Sequence, residues 1–166
     1  MQRERPFVKS GSTKVPVTHS QSELERLLRR YGCAGFGVQH DYENQRARVN
    51  FRVPDGPEND APLIPVALEL NLRAVYDALH GQPKKRRWFE DKYITEFDPA
   101  GYDVKLMQQA ERVAWRILKD WIEAQMALLD IEMVKMEEIF MPYIVDQKGQ
   151  TLYEKLEQKQ FLLEEL

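Results

Sequence analysis

Apolar residues recur at two different spacings along this chain, and the switch between them marks its organisation. In residues 46–53 the period is two. Ala47, Val49, Phe51 and Val53 point one way, and Arg46, Arg48, Asn50 and Arg52 point the other. Ile64, Val66, Leu68 and Leu70 repeat the alternation after the loop "PDGPENDAP". Phe36 and Val38 carry it more weakly, and the polar cluster "DYENQ" between them and Arg46 reads as the turn of a β-hairpin. Ahead of these strands, "KVPVT" at residues 14–18 predicts a short first strand, which Pro16 confines to an edge or a strand start. Ser20 then reads as a helix N-cap with Glu23 completing a capping box. Leu24, Leu27, Leu28 and Tyr31 follow at helical spacing, and Gly32 supplies the stop.

Beyond residue 71 the period becomes 3.6. "LRAVYDALHG" predicts a short helix closed by Gly81. A basic loop, "HGQPKKRRWFEDKY", and an irregular piece, "EFDPAGYD", lead into the longest helix, residues 104–130. Leu106, Met107, Ala110, Val113, Ala114, Ile117, Leu118, Trp121, Ile122 and Met126 keep the helical period as its candidate core, and the buried face is expected to run along Val113, Ile117, Trp121 and Met126. After a break near residues 130–132, a helix over 135–140 should halt at Pro142. A short extended piece, a turn at Lys148 and Gly149, and a terminal helix complete the chain. The pattern predicts an α+β fold: a small antiparallel sheet ordered β-α-β-β-β, then a helical C-terminal half. Residues 1–13 read as a flexible tail. Residues 14–166 read as one domain, with a sheet part (14–71) and a helical part (72–166).

Composition narrows the chemistry. A chain of 166 residues can bury an adequate core without a metal or disulfide staple. The single cysteine, Cys33, allows neither an internal disulfide nor a multi-cysteine zinc site. No apolar run is long enough to span a bilayer, and the first residues lack the apolar core of a signal peptide, so a cytoplasmic location is expected. The net charge of −3 argues against a generic charge-driven coat for DNA. The acidic excess is concentrated in the C-terminal third, which leaves any anion-binding surface in the first two thirds.

Two basic features stand out there. The arginine row, Arg46, Arg48 and Arg52, occupies one strand face at steps of about 7 Å, where it can track a phosphate backbone. The plain alternative is a solvated face paired with acids on neighbouring strands. The loop residues Lys84, Lys85, Arg86 and Arg87 run into Trp88 and Phe89, joining phosphate-neutralising charge to a ring on which bases can stack. Taken alone, this loop reads first as a solvated connection with Trp88 as a core anchor.

Other constellations point to no reaction. His19, His40 and His80 have no Cys or His at metal-ligand spacing, and His40 with Asp41 and Glu43 is a weak pattern. Glu132, Glu137 and Glu138 read as solvated helix faces rather than a carboxylate cluster around a cation. "GCAGFG" lacks the lysine and hydroxyl of a phosphate-binding loop. No nucleophile–base arrangement suggests itself. Neither enzyme, metal nor cofactor is expected. Trp115, Trp121 and the methionines fit core packing, with Met133, Met136 and Met141 also suited to an adaptable interface.

The stretch "VAWRILKDWIEAQMALLDIEMVKMEEIFMPYIVDQKGQTLYEKL" (residues 113–156) resembles a family of small proteins encoded by bacteriophages and integrated mobile elements. The matching positions are Trp115, Arg116, Glu137, Glu138, Phe140, Met141, Tyr143, Ile144, Val145, Gly149 and Thr151. "TKVPVTHSQSELERLLRRYGCAGFGV" is similar to the family's N-terminal half, with Cys33 where an alanine is usual, which implies a packing role for it. The resemblance implies a setting among DNA-replication or recombination genes and brings no assigned activity. Together these readings predict a non-enzymatic, nucleic-acid-associated accessory protein with single- or double-stranded DNA as partner. The alternative is an interaction module that inhibits a host or defence protein.

Overall fold

The computed structural model describes residues 8–56, 58–80, 87–89, 92–94 and 104–159, the two three-residue pieces as backbone only. The chain first forms a helix rather than the strand expected at residues 14–18. Helix α1 is Val17–Arg30, with Pro16 as N-cap at φ −61° and ψ 149°. The Pro16 carbonyl accepts from the N–H groups of His19 and Ser20 at 3.1 and 3.2 Å. A proline fixes φ in the helical range and lacks only a donor that a helix start leaves unused, so this site favours initiation. Ser20 therefore lies inside the helix, fully buried, and the expected capping box with Glu23 does not form. The helix ends as predicted. Gly32 takes φ +83°, and the N–H groups of Cys33 and Gly32 bond the carbonyls of Leu28 and Arg29, both at 3.1 Å, in a Schellman motif.

Strands β1 (Ala34–Asp41), β2 (Arg46–Pro54) and β3 (Leu63–Asn71) form an antiparallel sheet in that order. The register sets Asp41 opposite Arg46, Gln39 opposite Arg48, and Arg48 opposite Glu69. Ala47, Val49, Phe51 and Val53 are each at most 2 % exposed, as their alternation predicts. They share one core with Leu24 and Leu28 of α1, Val66 and Leu68 of β3, and the long helix. The sheet grows at its β3 edge by the C-terminal segment. Val66 bridges Ile144, the Val145 N–H donates to the Pro65 carbonyl at 3.0 Å, and Val145 turns back to bridge Thr151.

Helix α2 (Leu72–His80) starts directly at the end of β3, where the Asn71 side chain accepts from the Ala74 N–H at 3.0 Å. The basic loop enters a two-stranded ribbon, β4 (Arg87–Phe89) with β5 (Lys92–Ile94), where a loop was expected. Lys84, Lys85 and Arg86 lie outside the described residues.

Helix α3 (Val104–Asp130) has the predicted extent and a rotated core face. Val113 and Met126 are buried, but Ile117 and Trp121 are only half-buried. The centre of the face is Trp115, Leu118 and Ile122. Trp121 sits at the margin, edge-on to Phe140 and Tyr143 with ring centroids 6.5 and 5.9 Å away. The turn after α3 places Glu132 at φ +57°. Helix α4 (Met136–Phe140) follows, and Pro142 does not simply halt it: a 3-10 turn, Met141–Tyr143, continues the chain. Helix α5 (Leu152–Gln158) has a capping box. Thr151 Oγ1 accepts from the Glu154 N–H at 3.2 Å, and Glu154 accepts from the Thr151 N–H at 2.8 Å. Among the described residues no helix is long and apolar enough to cross a membrane.

Candidate polar cleft on the outer face of the sheet

Once the apolar residues of β2 face the core, the period of two leaves Arg46, Arg48, Asn50 and Arg52 on the opposite side. Their environments differ. Arg46 is paired with Glu69 across the β2–β3 ladder. Arg48 Nη2 donates to the carbonyl of Gly149 at 2.6 Å, which ties the turn of the C-terminal hairpin to this face. Gly149 sits at φ +78°, a conformation that favours glycine. Arg52 is exposed and runs beside β1 at the bulge between Ala34 and Gly37. A β-carbon at Gly35 would stand 3.1 Å from Arg52 Nε, so the bare glycine makes room for the guanidinium.

The hairpin end of this face is hollowed into a half-open cleft of about 560 Å³. Gln39, His40, Asp41, Asn44, Arg46, Arg48 and Glu69 are the polar residues of its lining. The turn orders the cleft. Asp41 accepts from the Asn44 side-chain amide at 2.7 Å and from the Asn44 N–H at 3.1 Å. These two bonds, with a smaller contribution from Arg46, hold the Asp41 carboxyl below the usual carboxylate range. Asp41 is thus an ionised acceptor that fixes the Asn44 amide. At the same end the His40 ring stacks on Tyr42, with centroids 5.6 Å apart and planes at 13°.

Of the residues singled out in the sequence, the fold brings Arg46 and Arg48 together at the cleft and puts Arg52 further along the same row. Arg87 and Trp88 are backbone positions of β4, and Lys84, Lys85 and Arg86 are outside the described residues. The acids facing the row were in part expected: Glu69 is the neighbouring-strand partner of the plain reading. Gln39, Asp41 and Asn44 were not anticipated as part of the site. A signal for them existed, because a hairpin closed by "YENQ" puts Asp41 opposite Arg46 and Gln39 opposite Arg48. The Gly149 contact joins residues about a hundred positions apart and has no local signal.

The methionines divide: Met126 and Met136 are buried, whereas Met133 and Met141 are exposed, against the core packing expected of them. Among the described residues no group of three His, Cys, Asp or Glu side chains could hold a metal ion. Cys33 is buried, and burial pushes its thiol up to about 11, which suits packing and not nucleophilic chemistry. Glu138 is spent on the start of α4, where it accepts from the Lys135 N–H at 2.8 Å. No family model, curated protein or solved structure matches this chain.

Proposed function

We propose that this is a small non-enzymatic accessory protein of phage or mobile-element DNA metabolism, and that it contacts nucleic acid with the outer face of its sheet. The observation that carries the reading is the row Arg46, Arg48 and Arg52 on the solvent side of β2, where, among the described residues, the Arg48 charge is met by a backbone carbonyl and not by a carboxylate. Arg46 is compensated by Glu69, but both side chains are well exposed. Such a surface pair contributes at most about 1 kcal/mol, so a phosphate can compete with Glu69 for the guanidinium. An arginine has five N–H donors, and one contact leaves the rest available.

The test is a titration of labelled single- and double-stranded DNA over a range of salt. The wild-type chain is expected to bind both or one of them at low salt. Replacing Arg46, Arg48 and Arg52 together with glutamine should weaken binding and flatten its salt dependence. The slope of log K should fall by about 0.9 for each duplex phosphate that is no longer neutralised, and by about 0.7 on a single strand. Circular dichroism of the variant checks that the sheet has survived. Absence of binding at low salt overturns the reading. That outcome favours a second one, a protein-docking module, which rests on a different observation. The corner between α3 and α4 exposes Ile131 and Met133, at 64 % and 68 %, and Met141 is also exposed. Methionine-bearing apolar surface suits adaptable docking.

A further inference from the structure

We infer that the cleft at the end of the β1–β2 hairpin holds one unpaired nucleotide, so that the protein prefers single strands to duplex; this rests on the nucleic-acid reading above. Volume is the first argument. At about 560 Å³ the cleft falls in the range of about 300–1,000 Å³ typical of small-ligand sites. An unstacked nucleotide can enter such a hollow. A duplex keeps its bases paired and stacked inside, and inserting one costs the energy of extruding it.

The second argument is the fixed arrangement of donors and acceptors. Arg48 is held by the Gly149 carbonyl and Asn44 by Asp41. Each side chain is oriented before a ligand arrives, which lowers the entropy lost on binding. Guanidiniums serve a phosphate, and the amides of Gln39 and Asn44 are of the type that bonds a base edge. The third argument is charge. Asp41 and Glu69 share the cleft with the two arginines. Two carboxylates beside two guanidiniums disfavour a run of closely spaced phosphates. They suit a ligand with one phosphate at the arginines and an uncharged, hydrogen-bonding base beyond it.

The experiment compares a short labelled single strand of mixed sequence with its own duplex, by fluorescence anisotropy at low and moderate salt. Three proteins are used: wild type, Gln39→Ala and Arg46→Gln. Gln39 is exposed on the edge strand, so its truncation should leave the fold intact. The expected result is tighter binding of the single strand than of the duplex. Gln39→Ala should lose about fivefold or more of single-strand affinity, the scale of one base-edge contact, with an unchanged salt slope. Arg46→Gln should lower both affinity and slope, the latter by about 0.7. Equal affinity for the two forms, or a Gln39→Ala variant that binds the single strand like wild type, overturns this inference while leaving the arginine row as a nucleic-acid contact. No binding of either form overturns the row and the inference together.

Discussion

Glu23 illustrates how a single residue can satisfy a local rule and still be used elsewhere. Its spacing from Ser20 fits a capping box, yet its carboxylate pairs with Arg116 and so joins α1 to α3. A fully charged partner between two helices outcompetes one backbone N–H, and Pro16 has already started the helix. The Arg116 hydrogen bond is the main reason the Glu23 carboxyl is held below its ordinary value of 4.5, against a smaller opposing effect of burial. The folded value lies below the unfolded one, so the pair's stabilisation is present in full above about pH 4.5 and is lost as the pH falls through the folded value. Glu23→Gln should cost about 1 kcal/mol at neutral pH, between an exposed pair and a buried charged hydrogen bond. In acid the gap between the two proteins should close, because wild type loses what the variant never had. Urea melts at neutral pH and below 4.5 check this; a gap that stays constant would show that Glu23 does not contribute through its charge. Asp41 and Asp146 shift in the same direction, Asp41 chiefly through Asn44 and Asp146 chiefly through Lys155, so the wild-type protein should lose stability in acid beyond the Glu23 share.

At the level of elements, α3 shows what periodicity can and cannot supply. Its ends at Val104 and Asp130 are legible, since a run of apolar residues at 3.6 spacing leaves little choice. Its core side is legible in outline, since Ala110, Val113, Ala114, Leu118, Ile122 and Met126 keep the period and are buried. The centre of that side is not, because the apolar arc is broad and the packing partners are distant in sequence. Trp121 and Ile117 lie on a plausible stripe, but the fully buried ring is that of Trp115. Trp115→Ala should therefore cost about 3 to 5 kcal/mol. Trp121→Ala should cost less, because its ring lies at the margin against Phe140 and Tyr143. Equilibrium denaturation ranks the two, and a larger loss at Trp121 would restore the face inferred from the spacing. The same contrast runs through the rest of the fold. The β2 strand and the Gly32 stop are local in origin and were legible. Residues 14–18 misled because alternating Val15 and Val17 around a proline looks like a strand, whereas Val17 is already the first turn of α1. The arginine row was legible as a face; the cleft was not, since it needs the hairpin register and the Gly149 contact together.

For the molecule as a whole, the arrangement of sheet edges decides how the outer face stays available. A three-stranded sheet has two edges, and an open edge invites pairing with another chain. At β1 the edge is interrupted by the bulge between Ala34 and Gly37 and ends in the exposed polar residues Gln39, His40 and Asp41. At β3 the device is different: Ile144 and Val145 pair with the edge, and the Gly149 turn is held by Arg48 of β2. Ala67, which shares the arginine side by alternation, is buried there. The C-terminal hairpin thus protects an edge and orients an arginine of the cleft in one step. Val145→Pro tests the first role with little else disturbed. It deletes the N–H that bonds the Pro65 carbonyl, and leaving such an acceptor unsatisfied costs about 1 to 3 kcal/mol. The variant should melt earlier and associate as its concentration rises, read by size-exclusion chromatography with light scattering. Ending the chain before Ile144 should increase both effects, since the whole edge is then bare and Arg48 loses its acceptor. A truncated chain as stable as the full one, and no more associated, would mean that β3 needs no cover, and that the contact between Arg48 and Gly149 orients the guanidinium without contributing to the fold.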